Sequence, residues 1–214
     1  MLGSTSSVGA LVKNAVLDRI PGVLRKGPAT VKRVALTFDD GPDERTPKLL
    51  EVLDDLGVAA TFFVCGELAE AHPLVIREYL RRGHQVANHG YNHTKFTKLS
   101  RRELLEQVEK TDNAIGGQAT GKLWVRPPHG AIDATSLITL RTAGYLVAMW
   151  SIDSFDHTEK DPAALAQRCA NVTAGDVLLF HEGQPWTVDA LPRIVTWLHA
   201  NGYECVTMHD LFAR

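Results

Sequence analysis

Seven short runs of β-favouring residues alternate with segments of helical periodicity along most of the chain. The runs are VALTF (34–38), ATFFV (60–64), HQVAN (84–88), LWVRP (123–127), LVAMWSI (146–152), DVLLF (176–180) and YECVTM (203–208). Between them, TPKLLEVLDDLG gathers Leu49, Leu50, Leu53 and Leu56 on one helical face. SRRELLEQVEKTDNAIGG does the same with Leu104, Leu105, Val108 and Ile115, and Ser100 with Glu103 reads as a capping box. TVDALPRIVTWLHANG brings Leu191, Ile194, Val195 and Leu198 together. Almost every helical segment stops at a glycine before the next strand: Gly57, Gly83, Gly117, Gly144, Gly175 and Gly202. That is the left-handed C-cap signal, repeated at each junction.

Regular strand–helix alternation builds a parallel sheet, because each return to the same end needs a crossover helix. Seven such units fit an incomplete, distorted (β/α)7 barrel of parallel strands better than an open sheet. An open doubly wound sheet is the alternative. At 214 residues, 44% hydrophobic and 22% charged, the chain is long enough for one domain with a full core. A net charge of −2 argues against nucleic acid as a partner. No apolar stretch approaches the roughly 20 residues that span a bilayer, and the first residues lack a basic start and a sustained apolar core. The sequence by itself therefore reads as soluble and cytoplasmic. Cys65, Cys169 and Cys205 stand far apart without CxxC spacing, so buried, inert thiols are expected rather than disulfides or a zinc knuckle.

In parallel βα folds the carboxyl ends of the strands share one rim, where active sites form. Here those ends carry Asp39 and Asp40 after the first run, His89 and His93 after the third, and Arg126 in the fourth. Asp153 and Asp156 follow the fifth, and His181 with Glu182 follows the sixth. His89 and His93, four apart in HGYNH, would share a face of a first helical turn. Two imidazoles and one carboxylate, most simply that of Asp40, make a three-ligand cation site with room for water. Asp39 is then free to act as general base, with Arg126 orienting it through a charge-assisted hydrogen bond. His181 could protonate a leaving group, aligned by Asp156. Such a set describes hydrolysis of an amide or ester.

TFDDGP, H-x-x-x-H, RPPHG, the WSIDSFD stretch and LLFHE occur in this order. Together they resemble the motifs of the polysaccharide deacetylases, carbohydrate esterase family 4 or NodB-homology domains, from about Val34 to Leu211. The resemblance implies an incomplete (β/α)7 barrel and one divalent cation, foremost zinc, with cobalt, manganese or nickel as alternatives. It implies Asp40, His89 and His93 as ligands, Asp39 as base, His181 as acid, and Arg126 and Asp156 as their supports. It further implies that the backbone N–H of His129 helps bind the oxyanion and that Leu179 lines the acetyl pocket. Removal of N-acetyl groups from N-acetylglucosamine-containing peptidoglycan or chitin follows as the expected activity, and the cell envelope or outside as the location. Four departures bear on substrate: Gly90 for a hydroxyl residue, His129 for a tyrosine, His157 for a tryptophan, and Glu182 for an aspartate. Residues 129 and 157 are expected to face the sugar. Trp186 is the better candidate for a cleft wall, while Trp150 divides equally between cleft and core.

Residues 1–32 read as an extension and 33–214 as the catalytic domain. Apolar positions within 8–20 describe an amphipathic helix packed on the barrel, with weak membrane-surface contact as the other reading. Competing functions are an acetylxylan esterase, a deacylase of a lipid-linked sugar, and a non-catalytic carbohydrate-binding relative. A ferrous oxygenase would leave Asp39, Arg126 and His181 without roles.

Overall fold

The computed structural model describes residues 20–117 and 123–213. Nine strands run along them: β1 (Val23–Leu24), β2 (Arg33–Asp39), β3 (Thr61–Val64), β4 (Gln85–Asn88), β5 (Trp124–Val125), β6 (Leu146–Ala148), β7 (Ile152–Asp153), β8 (Val177–His181) and β9 (Glu204–Val206). The helices are α1 (Thr46–Asp55), α2 (Gly66–Ala71), α3 (Pro73–Arg81), α4 (Arg101–Ala114), α5 (Ala134–Thr142), α6 (Pro162–Cys169), α7 (Pro185–Ala200) and α8 (Met208–Leu211). The sheet order is β1-β6-β5-β4-β3-β2-β8-β7, with β9 also on β2, and every strand pair is parallel. This is a curled, incomplete barrel.

The run LVAMWSI forms two strands instead of one. Its first part pairs with β5 and its second with β8, at opposite ends of the sheet order. The segment Met149–Ser151 bends between them, so one stretch of chain curls the sheet round. The two-residue strand β1 adds to β6 at the edge and was too short to show a periodicity. Lys26 also ties this N-terminal stretch to Asp176 at 2.8 Å. Of the amphipathic segment 8–20, only Ile20 lies within the described residues.

β2 shows how the sequence builds two cores. Val34, Leu36 and Phe38 point outward, under the helices, into a cluster with Phe62, Phe180, Leu53 and Leu191. Phe38 stacks between Phe62 at 5.3 Å and Phe180 at 5.5 Å. The alternate residues Ala35, Thr37 and Asp39 must then face the barrel interior. There Ala35 packs with Phe63, Ala87, Trp124, Ala148, Val177 and Met208. The capping box of α4 is present, Ser100 accepting from the Glu103 N–H and Glu103 from that of Ser100. All six junction glycines adopt positive φ. Among the described residues no helix is long and apolar enough to cross a membrane.

Candidate active site

The period-two alternation that buries Phe38 outward turns Asp39 inward at the last position of β2, directly opposite His181 of β8. Asp39 is buried and meets Arg126, which follows β5 and has no exposed surface. Arg126 Nη1 donates to Asp39 Oδ1 at 2.6 Å and to Thr37 Oγ1 at 2.8 Å, and Nη2 to the Met149 carbonyl at 3.3 Å. Its guanidinium lies over the Phe63 ring at 4.0 Å. Burial draws the Arg126 pKa down and the Asp39 carboxylate opposes it.

One residue later the chain turns. Asp40 has φ 74°, a left-handed conformation that swings its carboxylate away from Asp39's direction. Asp40 Oδ1 lies 3.0 Å from His93 Nε2 and 3.3 Å from His89 Nε2. Burial works against the Asp40 carboxylate, yet the two imidazoles outweigh it and hold its pKa far below the usual range. His89 Nδ1 sits 2.8 Å from the Arg126 carbonyl, which fixes that nitrogen as an N–H donor and turns Nε2 toward Asp40.

The histidines do not share a helical turn. Residues 89–95 form a loop, with φ 76° at Gly90 and 57° at His93, because its backbone bonds leave for neighbouring elements. Asn88 Oδ1 accepts from the Gly90 N–H, and Gln107 of α4 accepts from Tyr91 and Asn92. The Gly66 N–H donates back to the Gly90 carbonyl at 2.9 Å. Glycine at 90 suits that left-handed position, and any Cβ there would press on Phe96 at 3.1 Å.

His181 Nδ1 lies 2.6 Å from Asp156 Oδ1, while Asp156 Oδ2 accepts from the His181 backbone N–H and the Thr187 hydroxyl. Burial lowers the His181 pKa, but Asp156, with Asp39 and Asp40 behind it, raises it to about 9. Asp39, Asp40, His89, His93 and His181 line a cleft of about 440 Å³ together with His129, Gly130, Trp150, Asp153, Phe155, His157, Leu179 and Gln184. Four described residues other than glycine have positive φ, namely Asp40, His93, His129 and Phe155, and all four line this cleft. Strain gathered at one place marks a site held in shape by its surroundings.

The cleft thus brings together Asp39, Asp40, His89, His93, His129, His157, Leu179 and His181, with Arg126 and Asp156 behind them. Trp186 stands apart. Its indole donates to the Asp156 carbonyl at 2.6 Å and packs against the outer core, so the wall is formed by Trp150. Asp153 reaches the cleft but also accepts from the Phe155 N–H. The three cysteines are buried and free, and burial pushes their thiols up to about 12.

Two supporting roles escaped the sequence reading, that of Thr37 and that of Glu182, which was named only as a rim residue. Thr37, two before Asp39 on the inward face, donates to the Leu178 carbonyl and accepts from Arg126. Its signal was the strand period itself. Glu182 is buried under the Asp39–Gly41 turn, accepting from Thr46 at 2.5 Å and Tyr79 at 2.9 Å. A Cβ on Gly41 would fall 1.7 Å from its Oε1, so only glycine fits there.

As to a cation, Asp40 Oδ1 is buried with no directed hydrogen bond, although two imidazole nitrogens converge on it. One ligand atom from each of Asp40, His89 and His93 lies within 4.8 Å of the others. A carboxylate oxygen without a directed hydrogen bond, with the Nε2 atoms of two imidazoles turned to it, fits a divalent cation of the kind that histidine and carboxylate ligate.

The polysaccharide deacetylase family model matches residues 26–148, more than half of the chain. The chain belongs to the polysaccharide deacetylases. Peptidoglycan-N-acetylglucosamine deacetylase PgdA of Listeria monocytogenes is 35% identical over 189 residues, 86% of this chain and 40% of the relative. The chain therefore spans well under half the length of that relative. Chitooligosaccharide deacetylase of Sinorhizobium fredii is 34% identical over 204 residues, 87% of this chain and 94% of the relative. The crystal structure of the Bc1960 peptidoglycan N-acetylglucosamine deacetylase superposes with a TM-score of 0.85 at 32% identity, covering 89% of this chain and 92% of that one.

Burial raises the Glu182 carboxyl to about 8, against the hydrogen bonds from Thr46 and Tyr79. A raised carboxyl pKa gives stability that is full below about 4.5, the ordinary value, and is lost as pH rises through about 8. In chelator, urea midpoints of the wild type should fall over that window and those of Glu182→Gln should fall less. Identical slopes would contradict this account of Glu182.

Proposed function

We propose that this polysaccharide deacetylase hydrolyses N-acetyl groups of N-acetylglucosamine-containing poly- or oligosaccharides. What carries the reading is the convergence of Asp39, Asp40, His89, His93 and His181 on one cleft. The names of the similar proteins support the substrate class, peptidoglycan in two cases and a chitooligosaccharide in one. Asp40, His89 and His93 would hold one divalent cation, most simply zinc. When bound, such an ion supplies the positive charge that acidifies water and polarises a carbonyl.

Asp39 is the general base. Its Oδ1 is taken by Arg126, and its Oδ2 lies 3.7 Å from His89 Nε2, open to accept a proton beside the cation site. Arg126 acts through Asp39, positioning it and matching its charge. His181 is the acid. It enters the reaction as imidazolium, gives the Nε2 proton to the leaving amine, and keeps the Nδ1 proton, which it donates in a hydrogen bond to Asp156. Leu179 and Trp150 offer apolar surface for an acetyl methyl, and His129 and His157 face a sugar from the rim. The intact set of base, acid and ligands argues against a non-catalytic carbohydrate-binding role.

Acetate release from peptidoglycan and chitin oligomers should vanish in chelator and return with zinc. Asp39→Asn should keep zinc binding and lose about 10²- to 10⁴-fold in turnover, whereas Asp40→Asn should lose zinc affinity. If the two variants exchange these behaviours, the roles are reversed. Full activity without metal rejects the reading, and release confined to acetylxylan moves the substrate to an ester.

The rate should hold up to about pH 9 and fall above it, as His181 loses the acid's proton. Asp156→Asn removes what raises that pKa and leaves the burial that lowers it. The alkaline limb should move to lower pH. A limb that stays in place excludes His181 as the titrating acid.

A further inference from the structure

We propose that Asp156, His157 and His181 form a second cation site, suited to zinc, whose occupation switches the deacetylase off. One ligand atom from each of the three lies within 4.8 Å of the others. His157 is exposed at the rim, and its ring meets that of His181 edge-on with centroids 5.4 Å apart. Asp156 is buried and already aimed. Thr187 Oγ1 and the His181 backbone N–H hold its Oδ2, and Trp186 holds its carbonyl. Oδ1 is left to His181 Nδ1. Two imidazoles and a carboxylate suit a borderline ion such as zinc, not magnesium or calcium. The exposed side of His157 leaves a position for water.

The site differs from the Asp40 site in having a proton in it. Binding breaks the Nδ1–H bond of His181, the proton leaves to solvent, and the freed lone pair goes to the ion. The hydrogen bond to Asp156 Oδ1 is exchanged for a bond from that oxygen to the same ion. His181 keeps its Nε2 proton but is no longer an imidazolium, so it has no acidic proton for a leaving group at neutral pH. Because a proton and a short hydrogen bond must be displaced, this site fills at higher free zinc than the Asp40 site. The inhibitory consequence rests on the reading of His181 as the acid. The binding itself does not.

Equilibrium dialysis of the full chain against rising free zinc, with bound metal counted by mass spectrometry, tests this without any assay of turnover. The wild type should bind two ions, one tightly and one weakly. His157→Phe, which keeps a ring beside Phe155 but offers no lone pair, should lose the weak ion alone. Asp40→Asn should lose the tight ion and keep the weak one. In acetate release, the ratio of rate at high to low zinc should fall in the wild type and stay level in His157→Phe. A wild type binding a single ion, or a His157→Phe variant binding as many as the wild type, overturns the second site. Retention of the tight ion in Asp40→Asn would instead count against the Asp40 site of the proposed function.

Discussion

A charged guanidinium with no exposed surface sits at the heart of the barrel rim. Arg126 is tolerable there because Asp39 pairs with it at 2.6 Å, while Thr37 and the Met149 carbonyl take further donors. Leaving either partner of such a pair alone typically costs about 3–5 kcal/mol. The pair links β2 to the end of β5, across the barrel interior, and it fixes where the rim groups stand. It also explains why two aspartates can follow one another at the end of a buried strand. Asp39 spends its charge inward on Arg126, and Asp40, turned by its left-handed φ, spends its own on two imidazoles.

The rest of the rim follows the same logic of opposed environments. Each titratable group at the rim is held by defined neighbours. Asp156 holds His181, the Arg126 carbonyl holds His89, and Gln107 and Asn88 hold the loop carrying His93. None of these supports touches the cleft directly, but together they fix rotamers and tautomers before any ligand arrives. The cost is backbone strain at Asp40, His93, His129 and Phe155, of order 1–2 kcal/mol each for a left-handed residue, offset by the packed shell behind them.

Much of this was legible in the sequence, and the reasons are local. Strand runs and glycine stops are written in adjacent residues, so seven β runs alternating with helices could be read, and with them the rim where Asp39, His89, Arg126 and His181 meet, though not the order of the strands in the sheet. What escaped reading depends on contacts across the fold. The break in LVAMWSI serves two sheet neighbours that the run cannot see. The HGYNH spacing imitates a helical turn, but Asn88 and Gln107 divert its backbone into a loop. Trp186 follows a strand end, as a cleft residue would, yet its indole is claimed by the Asp156 carbonyl. Glu182 was read with His181 at the rim, yet it is buried beneath Gly41, held by Thr46 and Tyr79 from two helices that its own strand cannot reveal.

Anomalous scattering from a crystal of the protein grown with one equivalent of zinc bears most directly on the cation that Asp40, His89 and His93 are proposed to share. The account predicts a single strong peak about 2.0–2.2 Å from Asp40 Oδ1 and from the Nε2 atoms of His89 and His93. A peak elsewhere, or none within reach of those three atoms, would contradict it.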